Sequence, residues 1–129
     1  MNKRVLIVED DDLIRTTFVR LLRIEGYEAL TASNGREALE ILKNNLDNLP
    51  SLVLTDFMMP EMDGQELIWR LKQDDVLLNL PIVMLSAWEK PDLPPGVIYL
   101  KKPIEIKALI EHVRRFCGPP GQGTCRVAQ

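Results

Sequence analysis

Cysteine is scarce: Cys117 and Cys125 are the only two in 129 residues, both near the end of the chain. They supply neither a disulfide framework nor the ligand spacing of a structural zinc site, so free thiols of a reducing compartment are expected. Histidine is scarcer. His112 stands alone, mid-pattern in the last helical segment, where surface exposure or packing is the expected role and a metal or phosphodonor role has no support. No apolar run approaches the ~20 residues of a membrane-spanning helix. The opening MNKRVLIVED meets acids directly after Val5–Val8, too soon for a signal-peptide core. Positive charge is not in excess either. Sixteen Lys and Arg face 19 Asp and Glu, a net charge of -3, which leaves no electrostatic footprint for binding DNA or RNA. These absences point to a cytoplasmic protein without nucleic-acid or membrane partners. At 46% hydrophobic residues in 129, the chain can fill one sizeable core and is too short for two ordinary domains.

Short apolar runs recur: VLIV (5–8), LVLT (52–55), IVML (82–85) and VIYL (97–100), with a weaker EALTA at 28–32. Runs without polar alternation are typical of strands buried on both faces. Helical patterns lie between them. Residues 12–25 repeat Leu13, Phe18, Leu21 and Leu22 at helical spacing, with acids at the start and Gly26 at the end. Further helices are predicted over 35–46, entered through SNG, over 64–73, and over 104–117, stopped by GPP. Strands alternating with helices predict an α/β fold, a parallel sheet with helices on both faces. Ligands of such sheets bind outside the carboxyl ends of the strands, at the switch point of strand order.

Those carboxyl ends carry the chemistry. The first run ends in Glu9, Asp10 and Asp11, the third in Thr55 and Asp56, the fourth in Ser86, and the fifth in Lys101 and Lys102. In a parallel sheet they converge on one edge. Clustered carboxylates call for a hard cation, and Mg²⁺ suits because it takes one or two carboxylates and keeps water and phosphate oxygens as its other ligands. One carboxylate can then act as a nucleophile toward phosphorus, with the lysine and the hydroxyl binding the phosphoryl oxygens. Each residue also has a plainer reading. Asp56 precedes PEMDG, where a turn-initiating carboxylate is common; Asp11 or Asp12 can serve as a helix cap; Ser86 can be an ordinary strand-end hydroxyl and Tyr99 a packed aromatic. Only the joint pattern accounts for all of them together.

VLIVEDD, LTDFMMPEMDG, IVMLSA and YLKKP, in this order, resemble the receiver domain of two-component response regulators, over residues 4 to 116. The resemblance implies a flavodoxin-like, doubly wound, five-stranded parallel sheet. It implies Asp56 as phosphoacceptor, Glu9 and Asp10 as the acidic pair, with Asp10 the direct Mg²⁺ ligand, and the backbone carbonyl of Met58 as a further ligand. Ser86 matches the switch hydroxyl, Lys102 the phosphoryl-binding lysine and Tyr99 the rotating aromatic, with a cis bond between Lys102 and Pro103. The implied donor is a sensor histidine kinase or a phosphotransfer protein, and the implied output is a downstream protein target. Chemistry beyond Mg²⁺-dependent self-phosphorylation and slow autodephosphorylation is not expected, so the domain is not an enzyme in the ordinary sense. The expected layout is a receiver domain over 1–117 and a disordered tail over 118–129, either native or the start of a linker.

Two departures stand out. Between Ser86 and Lys102 lie Pro91, Pro94, Pro95 and Gly96, which cannot sit inside a regular helix. The helix that the resemblance places between the fourth and fifth strands is therefore expected to be shortened or replaced by a Pro-rich loop. Met58 and Trp88, two residues past Asp56 and Ser86, stand where the family tunes phosphoryl lifetime, and both are large and apolar. They predict a persistent phosphoform. A haloacid-dehalogenase-like phosphohydrolase is the enzymatic rival, but its acid/base aspartate would fall at Met58. The other alternative is a phosphorylation-independent interaction module of the receiver type.

Overall fold

The computed structural model describes residues 3–59, 61–87 and 93–119. Its elements follow in the order β1 (Arg4–Val8), α1 (Asp12–Ile24), β2 (Glu28–Ala32), α2 (Gly35–Lys43), β3 (Leu52–Asp56), α3 (Gly64–Lys72), β4 (Ile82–Ser86), β5 (Val97–Lys101) and α4 (Ile106–Cys117). The five strands form one sheet in the order β2-β1-β3-β4-β5, and every neighbouring pair is parallel. The chain moves outward from β1 to β2 and then crosses to β3 on the other side of β1. The switch point lies between β1 and β3, where the sequence ends its runs on Glu9 and Asp56.

The central strands lack polar alternation because each face of the sheet is covered. Leu6, Val8, Val53, Ile82 and Met84 join Leu42 of α2 and Leu67 of α3 in one core layer. On the other face Val5, Ile7, Leu54, Val83 and Leu85 join Leu22 of α1 and Val113 of α4. β2 lies at one sheet edge and buries only Ala32, and β5 at the other edge is half-buried along Val97–Leu100.

Helix starts follow the short polar side chains in the sequence. Asp11 accepts from the Ile14 N–H, Asn34 from the Glu37 N–H and Asp63 from the Glu66 N–H, each satisfying a donor that the first turn leaves unpaired. Two boundaries differ from expectation by more than one residue. α2 ends at Lys43 rather than at residue 46, because Asn44 caps it and Leu46 is left 45% exposed. α4 begins at Ile106 rather than at residue 104, since Glu105 before it is extended and Ile104 packs on the core from the connecting loop; the Lys102–Pro103 bond is cis.

Four helices are present among the described residues, and none of them lies between β4 and β5. Ala87 and residues 93–96 are not helical, while residues 88–92, with Trp88 and Pro91, lie outside the described residues. Leu93 packs against the core layer of α2 and α3. The end of α4 is tied down at the opposite edge of the sheet from Asp56. Tyr27 Oη donates to the Gly118 carbonyl oxygen at 2.7 Å and Lys3 Nζ to that of Cys117 at 2.9 Å. Cys117 is a buried free thiol, with its pKa pushed up to about 11 by that burial. Cys125 and the rest of the tail from residue 120 lie outside the described residues. No helix among the described residues is long and apolar enough to cross a membrane.

Candidate functional site

Parallel pairing aligns the carboxyl ends of β1, β3 and β4, and the ladder continues into the loops. The Phe57 N–H donates to the Leu85 carbonyl at 2.9 Å and the Lys102 N–H to the Ser86 carbonyl at 2.8 Å. The backbone of the residue after β3 and of the second lysine after β5's run is thereby fixed by the neighbouring strand. At this edge Lys102 Nζ lies 2.6 Å from Asp56 Oδ1. Carboxylate oxygens of Glu9, Asp10 and Asp56 all lie within 4.8 Å of one another. The structure thus brings Glu9, Asp10, Asp56 and Lys102 into one cluster, with Ser86 buried at the adjoining end of β4.

Burial makes the cluster costly for negative charge. Asp56 is 7% exposed and Glu9 3%. Glu9 Oε2 accepts from the Asp11 N–H at 3.1 Å, but its Oε1 is buried without a hydrogen-bond partner. Burial is the main cause that pushes the Glu9 carboxyl up to about 7. The Asp11 N–H opposes that rise, the Asp56 charge adds to it and the Lys102 ammonium opposes it. A buried carboxylate with one oxygen lacking a donor, clustered with two further carboxylates, is a donor set that fits a hard divalent cation of the Mg²⁺ kind.

The remaining sequence candidates surround this cluster. Met58 projects from the mouth at 56% exposure. Tyr99 is half-buried on β5, paired in register with Met84. Lys101, the residue before Lys102, is exposed. Asp11 is the cap of α1 and not a member of the cluster. Trp88 lies outside the described residues.

Two contributors escaped the sequence reading. Gly64 opens α3 so close to β3 that a Cβ there would lie 2.2 Å from the Asp56 carbonyl oxygen; in sequence it reads only as part of a turn. Arg15 reaches back from α1, with Nη1 donating to the Glu9 carbonyl oxygen at 2.8 Å. Its position one turn into a helix gives no sign of that contact.

The geometry has counterparts among known proteins. The family model of the response regulator receiver domain matches residues 5–114. The polar-differentiation response regulator DivK of Brucella anthropi is 33% identical over 124 residues, which span 92% of this chain and 98% of DivK. The receiver domain of the hybrid histidine kinase CckA shares 38% identity at a TM-score of 0.75, covering 88% of this chain and 98% of that one. The chemotaxis protein CheY4 of Vibrio cholerae shares 27% identity at a TM-score of 0.77, covering 90% of this chain and 99% of that one. With the sheet order, the strand-end acids and these likenesses in agreement, the chain belongs to the family of response regulator receiver domains, the phosphoacceptor signalling domains of two-component systems.

Proposed function

We propose that Asp56 is the residue that accepts the phosphoryl group, from a sensor histidine kinase or a histidine phosphotransfer protein. The observation that carries this reading is the Lys102 ammonium 2.6 Å from Asp56 Oδ1, at a strand end shared with two more carboxylates. An Asp56 oxygen attacks phosphorus, the bond from phosphorus to the donor nitrogen breaks, and the product is an acyl phosphate on Asp56. Lys102 shifts from the carboxylate to the phosphoryl oxygens, whose added negative charge it offsets. Glu9 and Asp10, with Asp56 and the Met58 carbonyl, are the residues that would hold Mg²⁺. When bound, the ion neutralises charge on the transferring phosphoryl group.

Ser86 and Tyr99 are the proposed readout: the doubly charged product draws the Ser86 hydroxyl inward, Tyr99 repacks, and a pre-existing equilibrium shifts. Receiver domains signal rather than turn over a substrate, and self-phosphorylation with slow autodephosphorylation is the chemistry proposed here. The donor must reach the mouth beside Lys102. The exposed side chains of Leu13, Ile14 and Ile106 line a groove with Lys102 and Pro103 and supply apolar contact area for such a protein. The receiver unit is proposed to end with α4.

Intact-mass measurement after incubation with Mg²⁺ and acetyl phosphate tests the assignment. One added phosphoryl group is expected on the wild type, and none on Asp56→Ala or in the presence of a chelator. An adduct that survives Asp56→Ala refutes the assignment, and no adduct alongside intact Mg²⁺ binding favours a phosphorylation-independent interaction module. Met58 bears on lifetime. An exposed thioether at the mouth cannot orient water, so Met58→Asn is expected to shorten the phosphoform half-life at least several-fold, followed by the decay of the mass adduct after the donor is removed. An unchanged half-life would assign the lifetime to other residues.

A further inference from the structure

We propose that Arg15 is a positioning residue for the cation pocket, locking the turn between β1 and α1 so that Glu9 and Asp10 are presented to Asp56; this rests on the cation-site reading above. The turn carries four consecutive acids, Glu9 to Asp12, and their mutual repulsion favours an open, solvated arrangement. The structure counters this with a closed set of bonds. The Glu9 N–H donates to the Ala32 carbonyl at 3.0 Å. The Glu9 carbonyl accepts from Arg15 Nη1 at 2.8 Å, and Glu9 Oε2 accepts from the Asp11 N–H at 3.1 Å. Arg15 Nη2 donates to the Asp12 carboxylate, and the Arg15 N–H to the Asp11 carbonyl at 2.9 Å. One side chain thus grips the turn on both sides of Asp10 and Asp11.

The effect on Glu9 is specific. Its N–H, its carbonyl and one carboxylate oxygen are all engaged within the protein, and the single group left over is Oε1, buried and without a partner. The Arg15 side chain is only 19% exposed, and its planar guanidinium fork is suited to two acceptors at once. A lysine ammonium has donors for both acceptors but lacks the planar fork whose separate nitrogens reach the carbonyl and the carboxylate.

Positioning and simple electrostatics make opposite forecasts. A cation beside an acidic pocket repels Mg²⁺, so if Arg15 acted only by its charge, removing it would tighten Mg²⁺ binding. If it acts by holding the turn, removing it weakens binding even though a repelling charge is gone. Calorimetric titration of the full chain with Mg²⁺ separates the two. Arg15→Ala is expected to bind Mg²⁺ about tenfold more weakly than wild type, the scale on which outer-shell partners of metal ligands act, with Arg15→Lys in between. In the acetyl phosphate reaction, the Mg²⁺ concentration for half-maximal adduct should rise by the same factor while the plateau at saturating Mg²⁺ is unchanged. Asp12→Ala added to Arg15→Ala should cost no further affinity, since its tether is already lost.

Wild-type or tighter Mg²⁺ binding by a folded Arg15→Ala overturns the proposal. So does a lowered plateau with unchanged half-maximal Mg²⁺. If Arg15→Ala does not fold, Arg15→Lys, which keeps the charge, is judged by the same criterion. Failure of the wild type itself to bind Mg²⁺ would instead remove the cation-site reading on which the proposal stands.

Discussion

Gly64→Ala is expected to destabilise the protein by about 3 kcal/mol or more, placing it among the most damaging methyl additions available to a domain of this size. The added carbon would lie 2.2 Å from the Asp56 carbonyl oxygen and 3.2 Å from both the Asp56 carbonyl carbon and Met84 Cε. Relief by rotation of a flexible side chain is not available, because the closest atom belongs to the backbone of β3, a central strand with all five residues buried. Either the start of α3 or the end of β3 must move. The Gly64 N–H also donates to the Phe57 carbonyl at 2.9 Å, so a shift of α3 loses that bond as well. Because the clash is with Asp56 itself, whatever protein remains folded should also lose phosphoryl-adduct formation with acetyl phosphate. Urea denaturation measures the first effect. A midpoint that places the variant within about 1 kcal/mol of wild type, the range of an ordinary point substitution, would show that the joint between β3 and α3 is softer than this packing implies.

Glu9→Gln should have the opposite sign. In protein stripped of divalent cations at pH 8, it is expected to be more stable than wild type by about 2 kcal/mol. The direction follows from the Glu9 carboxyl, pushed up to about 7 from an ordinary 4.5 chiefly by burial. Between those values the folded chain holds a proton that the unfolded chain has released, so wild-type stability falls as pH rises through that window. Below the ordinary value both states are protonated and the penalty is absent; above pH 7 it is fully present. The separation of the two values is worth on the order of 3 kcal/mol as a ceiling. An unpaired amide in place of Oε1 removes part of the gain. The advantage of Glu9→Gln should therefore shrink toward pH 5, and saturating Mg²⁺ should stabilise wild type more than the variant. A difference between the two proteins that is flat from pH 5 to 8 would mean that Glu9 is not the group under electrostatic strain.

Such a trade, stability given up at a site that has to bind, shapes what could be read from sequence. β1, β3 and β4 were legible because their runs are apolar on consecutive residues, as burial between two helical layers requires; the edge strands β2 and β5 are only partly covered. Asp56, Glu9 and Asp10 were legible because a parallel sheet sends every strand end to one edge, so a polar residue closing an apolar run already has an address; Lys102 was set apart from Lys101 only by the family resemblance through Pro103. Asn34 and Asp63 announced their helices through cap chemistry that acts over three residues. The misjudged boundaries share one cause: periodicity continues to Leu46 and begins at Ile104, but whether such a residue is helical depends on what lies opposite, and Leu46 stays 45% exposed while Ile104 packs from a loop. Arg15 and Gly64 were invisible for a different reason. Their roles are contacts with backbone carbonyls, and a carbonyl carries no signature in the sequence. The unpaired Glu9 Oε1 was equally out of reach, since sequence can place a carboxylate at a strand end but cannot count its donors.

Anchoring of α4 by Tyr27 and Lys3 has a practical side for anyone who wishes to watch this domain at work. Those two hydrogen bonds end on the carbonyls of Gly118 and Cys117, next to the first residues of β1 and β2. The acidic mouth lies at the far end of the same strands, a strand length of roughly 15 Å away. A dye, bead or sensor surface attached at residue 118 or 119 therefore hangs from the base of the sheet and leaves the mouth facing solution. Tethered in this way, the domain can meet a phosphodonor protein without its attachment standing in the path.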